Sequence, residues 1–487
     1  MVDIKIFKKD EAFILIDCDY GIAQELSDYF KFRVNGYQFM PAFKNKVWDG
    51  FWRLFNIRDK LLYHGLSPYV EKFCQDRRYS YIIDPEINGT NEFSVIEAKK
   101  FIDGIELPEN IKIRDYQLDA FIHAIRNKRI VILSSTGSGK SLIIYCIIRY
   151  LQKNFIKGLL IVPTISLVSQ MYSDFASYGF DSEKHIHLIH GGKEKDSDKF
   201  LYISTWQSIF DMPKKYFNKF DFVIGDEAHL FKAKSLTTIM SSCINSGYRV
   251  GTTGTLDDSL VNKLVLEGLF GIVNQVTTTS NLIENGQLSK FKIKCLILKY
   301  PDETCKMIKK MEYKDEIDYI VRNEARNKFI RNLALSLEGN TLILFQFVEK
   351  HGKELFRLIN EQNNKKVFYV SGETDSETRE LVRELTEKET NAIIIASYGT
   401  FSTGINIRNL DNMIFASPSK SKIRNLQSIG RILRIGDNKN EATLFDIADD
   451  FRTGTYVNFS LKHFTERIKV YDSEKFTYKF YNINLKG

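Results

Sequence analysis

Ser134-Ser135-Thr136-Gly137-Ser138-Gly139-Lys140-Ser141 sets two glycines, a lysine and a hydroxyl after a β-branched run, Arg129 to Leu133, and before an apolar stretch of helical length, Leu142 to Ile148. Strand, small-residue loop and helix in that order suit a polyphosphate. Gly137 and Gly139, with Ser138 between them, let backbone N–H groups approach an anion closely. Lys140 can reach β- and γ-phosphates as a point charge, and Ser141 can place its hydroxyl on Mg²⁺. A second group follows at Phe222-Val223-Ile224-Gly225-Asp226-Glu227-Ala228-His229, where an apolar run ends in two carboxylates. At the C-terminal tip of a buried parallel strand, Asp226 would enter the shell of Mg²⁺ and Glu227 would orient or deprotonate an attacking water. Alone, each group has a plainer reading, a glycine turn or an acidic loop start. Together in one stretch they point to nucleoside triphosphate hydrolysis.

A third group is Gln427-Ser428-Ile429-Gly430-Arg431-Ile432-Leu433-Arg434. Gln427, Arg431 and Arg434 follow i, i+4, i+7, which puts them on one face of a helix. Guanidinium groups so aligned can stabilise charge on a transferring γ-phosphoryl group. An exposed basic helix is the plainer alternative.

The elements that must position these groups are legible as alternating apolar runs. Arg129 to Leu133, Gly158 to Val162, Lys199 to Ser204 and Asp221 to Ile224 are strand-like and separated by helix-length segments, the pattern of a parallel sheet covered on both faces. From about Lys290 a second set begins: Asn340 to Phe345, Lys366 to Val370, Ala392 to Ala396, Asn412 to Ala416 and Ala442 to Ile447, with helical stretches at Glu349 to Gln362 and Ser376 to Glu389. The expectation is an α/β chain of two tandem parallel-sheet domains, 106–285 and 286–450. A small α+β N-terminal domain, 1–105, precedes them, and a C-terminal extension, 451–487, packs on them.

The N-terminal hundred residues have their own texture. Lys31 to Arg78 holds ten Lys or Arg against four acids, interleaved with rings, whereas Tyr79 to Asn110 holds two against seven. A local positive field of this kind suits a phosphate backbone, with Lys44, Lys46, Arg58 and Lys60 as candidate contacts. Trp48, Phe51, Trp52 and Phe55 recur at helix-like spacing. That favours packed rings with the cations facing nucleic acid, a base-stacking surface being the alternative.

The 487 residues suffice for about three domains, and 43% hydrophobic residues can fill their cores. Net charge is +8, which permits a polyanionic partner. Six cysteines without Cys-x-x-Cys spacing indicate neither a zinc site nor a disulfide framework, which suits a reducing cytoplasm. No run approaches the roughly 20 apolar residues of a membrane span, and no signal-peptide core is present near Met1.

Residues 112 to 450 resemble the superfamily 2 helicases of the DEAH-box-like group, and within it the recombination helicases of T-even phages. The resemblance implies two RecA-like domains. It implies adenine recognition by Arg114 and Gln117, ATP phosphates and Mg²⁺ at Gly137 to Ser141, and a DEAH box of Asp226, Glu227 and His229. Thr253-Gly254-Thr255 would couple the nucleotide to the track. Pro163, Thr164, Thr205 and Gln207 would touch the nucleic-acid backbone, as would Ser397 to Asn406, with Gly404 at the nucleotide. Arg431 and Arg434 would be arginine fingers. Ser134, Thr253-Gly254-Thr255 in place of Ser-Ala-Thr, and Asn406 in place of Asp depart from the common pattern. The implied activity is ATP-dependent remodelling of branched DNA (forks, D-loops, R-loops and Holliday junctions) with strand annealing, in the cytoplasm of an infected host cell. Implied partners are branched and duplex DNA, RNA–DNA hybrid, and single-strand-binding or recombination proteins. An RNA helicase, a duplex translocase without strand separation and a non-catalytic scaffold are the alternatives.

Overall fold

The computed structural model describes residues 2–34, 36–191, 194–256, 259–362, 365–404, 407–419, 421–436, 439 and 441–485, the side chains of 376 and 402–404 excepted. The chain divides into two compact units, Met1–Ser134 with Gly139–Val276, and Ser135–Ser138 with Thr277–Gly487.

The first unit holds two main sheets. The smaller orders its strands Leu61–Tyr63, Phe13–Cys18, Ile4–Lys8 and Tyr81–Ile83, antiparallel except for the last pair, with helices Tyr20–Tyr29 and Ser67–Arg77. The larger runs Val273–Thr277, Arg129–Ser134, Tyr248–Thr253, Phe222–Asp226, Gly158–Val162, Leu201–Thr205 and Ile186–Ile189, and the six strands from Arg129–Ser134 onward are parallel. Both faces of its central strands are covered, so these read as unbroken apolar runs. Ile186–Ile189, Tyr248–Thr253 and Val273–Thr277 carry no such signal, being short, edge-placed or rich in Gly and Thr.

The two sheets of this unit share one core. Ile4, Ile16 and Phe73 belong to the same buried cluster as Val131, Val223, Leu269 and Phe270. Arg129 pairs with Glu11, and the Tyr69 hydroxyl donates to Glu267 Oε2 at 2.5 Å, where Glu267 is fully buried. The approach reaches the backbone at Gly65, where an added Cβ would lie 2.0 Å from the Glu267 carbonyl oxygen. Gly65→Ala is therefore expected to destabilise the unit by about 3 kcal/mol, the upper range for overpacking. A thermal melt reads this as a Tm several degrees lower, and an unchanged Tm would contradict the shared core. Removal of residues 1–100 would strip this core, so point substitutions are the appropriate probes of the N-terminal region.

The aromatic stripe at Trp48, Phe51, Trp52 and Phe55 is corrected by the structure. No helix forms there; Phe51–Arg53 is a strand paired with Lys31–Arg33. Trp52 is exposed on that strand, whereas Phe55, beyond its end, is core, so the ring positions do not share the one face a helical period would give them.

The second unit is one seven-stranded, wholly parallel sheet. Its order is Val367–Val370, Ile393–Ser397, Thr341–Phe345, Asn412–Phe415, Glu441–Asp450, Lys290–Lys299 and Tyr478–Asn484. The C-terminal segment thus supplies the edge strand, and its helix Phe459–Ser473 carries Arg467. Arg467 and Arg326, both fully buried, clamp Asp446 and Asp449 of one strand. Arg467 Nη1 also donates to the Ser419 carbonyl and Arg326 Nη2 to the Ala416 carbonyl, on the segment leading to helix Lys422–Ile432. Cleaving either pair would leave a buried charge alone, which costs about 3–5 kcal/mol.

Candidate nucleotide-hydrolysis site and nucleic-acid track

The Arg129–Ser134 strand ends at the small-residue loop, and Gly139, in left-handed conformation, caps helix Lys140–Leu151. Gly137 (φ +87°) and Gly139 (φ +79°) occupy backbone states open to glycine, and at Gly139 a Cβ would come within 2.5 Å of Gln117 Nε2. Gln117 is buried, accepts from the Arg114 backbone N–H at 3.0 Å and lies against this loop. Lys140 Nζ is 3.4 Å from the Ser134 carbonyl, so Ser134 takes part through its backbone and its departure from the common pattern leaves the turn intact. Ser141 Oγ is 3.0 Å from the Tyr178 hydroxyl, a partner 37 positions away that no sequence pattern announced.

Register fixes the acidic pair. Asp226 lies opposite Thr252, which lies opposite Ile132 of the loop-bearing strand. Thr252 Oγ1 donates to Asp226 Oδ1 at 2.7 Å. Burial, then the neighbouring Glu227 carboxylate, raise the Asp226 pKa to about 6 against the opposing pull of Lys140 and Thr252. A buried carboxylate so disfavoured in its charged form, with the Ser141 hydroxyl on the first turn of Lys140–Leu151, is the donor chemistry that suits a hard divalent cation. Mg²⁺ held by Ser141 and Asp226 would neutralise charge on the phosphate oxygens. Glu227 follows at φ +51°, ψ +52°, a conformation rare for a non-glycine residue.

From Glu227 a relay leads to the next strand. His229 Nδ1 is 3.3 Å from Glu227 Oε2 and 3.0 Å from Thr253 Oγ1. Thr253 spends its proton on the Thr255 carbonyl at 2.9 Å, so its oxygen accepts from His229, which assigns the proton to Nδ1. Thr253→Val removes that acceptor with little change of shape. Its expected result is a DNA stimulation of ATP hydrolysis reduced about ten-fold, within the 1–3 kcal/mol of a coupling energy, with DNA affinity retained. Equal stimulation in the variant and its parent would exclude the relay.

Two neighbouring strand ends form a cleft of about 550 Å³. Gly158–Val162 leads to Pro163 and Thr164, Leu201–Thr205 leads to Gln207, and Val162 and Thr205 are in register. Pro163, Thr164, Thr205 and Gln207 all line this cleft, together with His190 and Lys195, which sequence reasoning missed. The Gly-Gly-Lys-Glu-Lys run at 191–195 was the available signal.

The remaining candidates divide. Lys44, Lys46 and Arg58 are exposed, whereas Lys60 Nζ is engaged by the Cys18 carbonyl at 2.7 Å and by Asp17, which corrects its place among the available cations. Helix Lys422–Ile432 carries Gln427 and Arg431, both half-buried, with the Arg431 guanidinium 5.6 Å from the Phe401 ring centroid. The helix ends before Arg434, so the shared face predicted for three residues holds for two. Gly404 ends helix Tyr398–Gly404; the side chains around it and residue 406 lie outside the described residues.

A phosphate loop, a strand-tip acidic pair and a neighbouring cleft on one parallel sheet, followed by a second parallel sheet, define a nucleoside triphosphate-driven helicase. Residues 110–258 match the family described as type III restriction enzyme, res subunit, residues 324–436 the helicase conserved C-terminal domain, and residues 3–84 the N-terminal domain of DNA helicase UvsW. The chain is 37% identical to the ATP-dependent DNA helicase uvsW of Enterobacteria phage T4, over 99% of this chain and all of that one. A crystal structure of T4 UvsW covers the whole chain at 36% identity with a TM-score of 0.54. The DNA 3'-5' translocase XPB2 of Sulfurisphaera tokodaii is 26% identical over 71% of this chain and 84% of its own. The chain belongs to the UvsW family of ATP-dependent DNA helicases.

Proposed function

We propose that the protein remodels branched DNA, forks, D-loops, R-loops and Holliday junctions, and anneals strands, in the cytoplasm of an infected host cell. In this reading 1–105 holds one arm of the substrate, 106–285 and 286–450 are the motor lobes, and 451–487 braces the second. ATP binds at Gly137 to Ser141 with Arg114 and Gln117 at the base and Gly404 from the second lobe. Mg²⁺ sits on Ser141 and Asp226. Glu227 positions the attacking water, and His229, Thr253 and Thr255 pass the state of the site to the backbone contacts at Pro163, Thr164, Thr205 and Gln207. Gln427, Arg431 and Arg434 act on the γ-phosphate. RNA–DNA hybrid, and single-strand-binding or recombination proteins, are its further partners.

The observation that carries the branched-substrate reading is a basic surface outside the motor cleft, where the exposed Lys44 and Lys46 stand on the segment joining the Lys31–Arg33 and Phe51–Arg53 strands. One duplex strand needs one track; a branch offers two arms to hold. The likeness to a DNA translocase favours a second reading, duplex translocation without strand separation. The test is ATP turnover and strand displacement with single-stranded DNA, blunt duplex, four-way junction and RNA side by side. The proposal expects the junction to stimulate most and to be resolved into arms. Stimulation without displacement would favour the translocase, and stimulation by RNA alone would overturn both.

A further inference from the structure

Lys31–Arg33 and Phe51–Arg53 form a two-stranded sheet of their own, and the segment joining them folds on itself. Among the described residues of 36–50 only Gly50 is buried, so this tip has no core of its own. Ring contacts and cations hold its shape. Tyr37 and Phe43 meet edge to face at 4.6 Å, and Gly50 (φ +82°) lies under the Tyr37 ring where a Cβ would come within 2.6 Å. The Trp48 indole N–H donates to the Phe51 carbonyl at 2.8 Å, which fixes the ring. The Arg33 guanidinium is 4.8 Å from the Tyr37 centroid and 4.7 Å from that of Phe51.

This frame presents apolar surface to solvent. Val47 is 81% and Phe39 73% exposed. A groove of about 790 Å³ is lined by Phe43, Val47 and Trp48 together with Lys44, Lys46, Asp49 and Arg53. Arg53 is paired with Asp49, whereas Lys44 and Lys46 make no ion pair among the described residues. From Lys31 to Arg53 there are five Lys or Arg and one acid. An apolar protein face would have no use for that charge, and paired duplex would have no use for the rings. An unpaired nucleotide uses both, since every base offers a π-face and every linkage a negative charge.

We propose that this tip is a base-stacking site for unpaired nucleotides at a DNA branch point. Trp48, Phe43, Val47 and the exposed Phe39 take the base faces, and Lys44 and Lys46 take the flanking phosphates. The proposal rests on the reading that the N-terminal region contacts DNA.

The test uses the full-length protein with a forked duplex carrying an unpaired arm and a blunt duplex of the same paired sequence. Val47→Asp and Phe39→Ala alter side chains too exposed to support the fold. Each is expected to lower the fork-to-duplex affinity ratio about ten-fold, within the range for losing one stacked base. Lys44→Glu combined with Lys46→Glu is expected to weaken fork and duplex together and to make the slope of log K against log salt shallower by about 0.9 for each duplex phosphate the protein no longer neutralises. If the lysine variant weakens both substrates but Val47→Asp and Phe39→Ala leave the ratio unchanged, stacking is overturned and the DNA reading stands. If the lysine variant binds both normally at every salt concentration, the tip does not face DNA, and both the proposal and the reading beneath it fall.

Discussion

Glu227→Gln is expected to lower kcat for ATP hydrolysis about 10²–10⁴-fold, the usual contribution of a general base, while nucleotide affinity stays close to that of the parent. The substitution keeps the shape of the side chain and removes its ability to take a proton. Glu227 is the member of the acidic pair suited to this role. It is the more accessible of the two carboxylates, and its left-handed backbone turns it out of the strand that keeps Asp226 buried against Thr252. Lys140→Ala should behave differently, because an ammonium at the head of the helix would serve bound phosphate and transferring phosphoryl alike. Its loss is expected to weaken ATP binding as well as turnover. Equilibrium nucleotide binding and single-turnover hydrolysis on both variants separate the roles, and near-parental turnover in Glu227→Gln would exclude the assignment.

Arg431→Ala is expected to lower DNA-stimulated kcat about 10³–10⁵-fold, the range for an arginine that stabilises charge on the transferring phosphoryl group, with DNA affinity unchanged. Arg431 lies on the regular helix Lys422–Ile432, anchored through the buried Arg326–Asp449 and Arg467–Asp446 pairs of its own sheet. Arg434 lies beyond the end of that helix, so Arg434→Ala should cost less than Arg431→Ala. Stimulated turnover on both variants, with DNA binding measured in parallel, checks this order. Unchanged stimulation in both would remove the finger role and leave the fold untouched.

Most strands of both large sheets were legible, because burial on two faces leaves a run of β-branched residues and little else. Tyr248–Thr253, central but rich in Gly and Thr, and two edge strands were not. Ile186–Ile189 is short, and Tyr478–Asn484 is largely exposed, so neither carries a continuous apolar signal. The phosphate loop and acidic pair were legible because their chemistry dictates residue type at fixed spacing. Their partners Tyr178 and Thr252 were not, since each is brought in by the fold from a distant position. The Trp48 to Phe55 stretch misled because a helical period and a loop followed by a strand can share the same spacing over eight residues. Fully buried Arg249 shows the same limit for charge. Its donors are satisfied by the Leu269, Cys243 and Met240 carbonyls, none adjacent in sequence, so it reads as a surface cation until the fold is known.

The central claim is that hydrolysis at the Asp226–Glu227 strand tip drives the remodelling of DNA. The most direct measurement follows strand displacement from a labelled four-way junction by parent and Glu227→Gln proteins, at saturating ATP and Mg²⁺ and with junction occupancy matched. The account predicts that the parent converts the junction while the variant, equally bound, converts none above the spontaneous rate. Conversion by Glu227→Gln at the parental rate would contradict it.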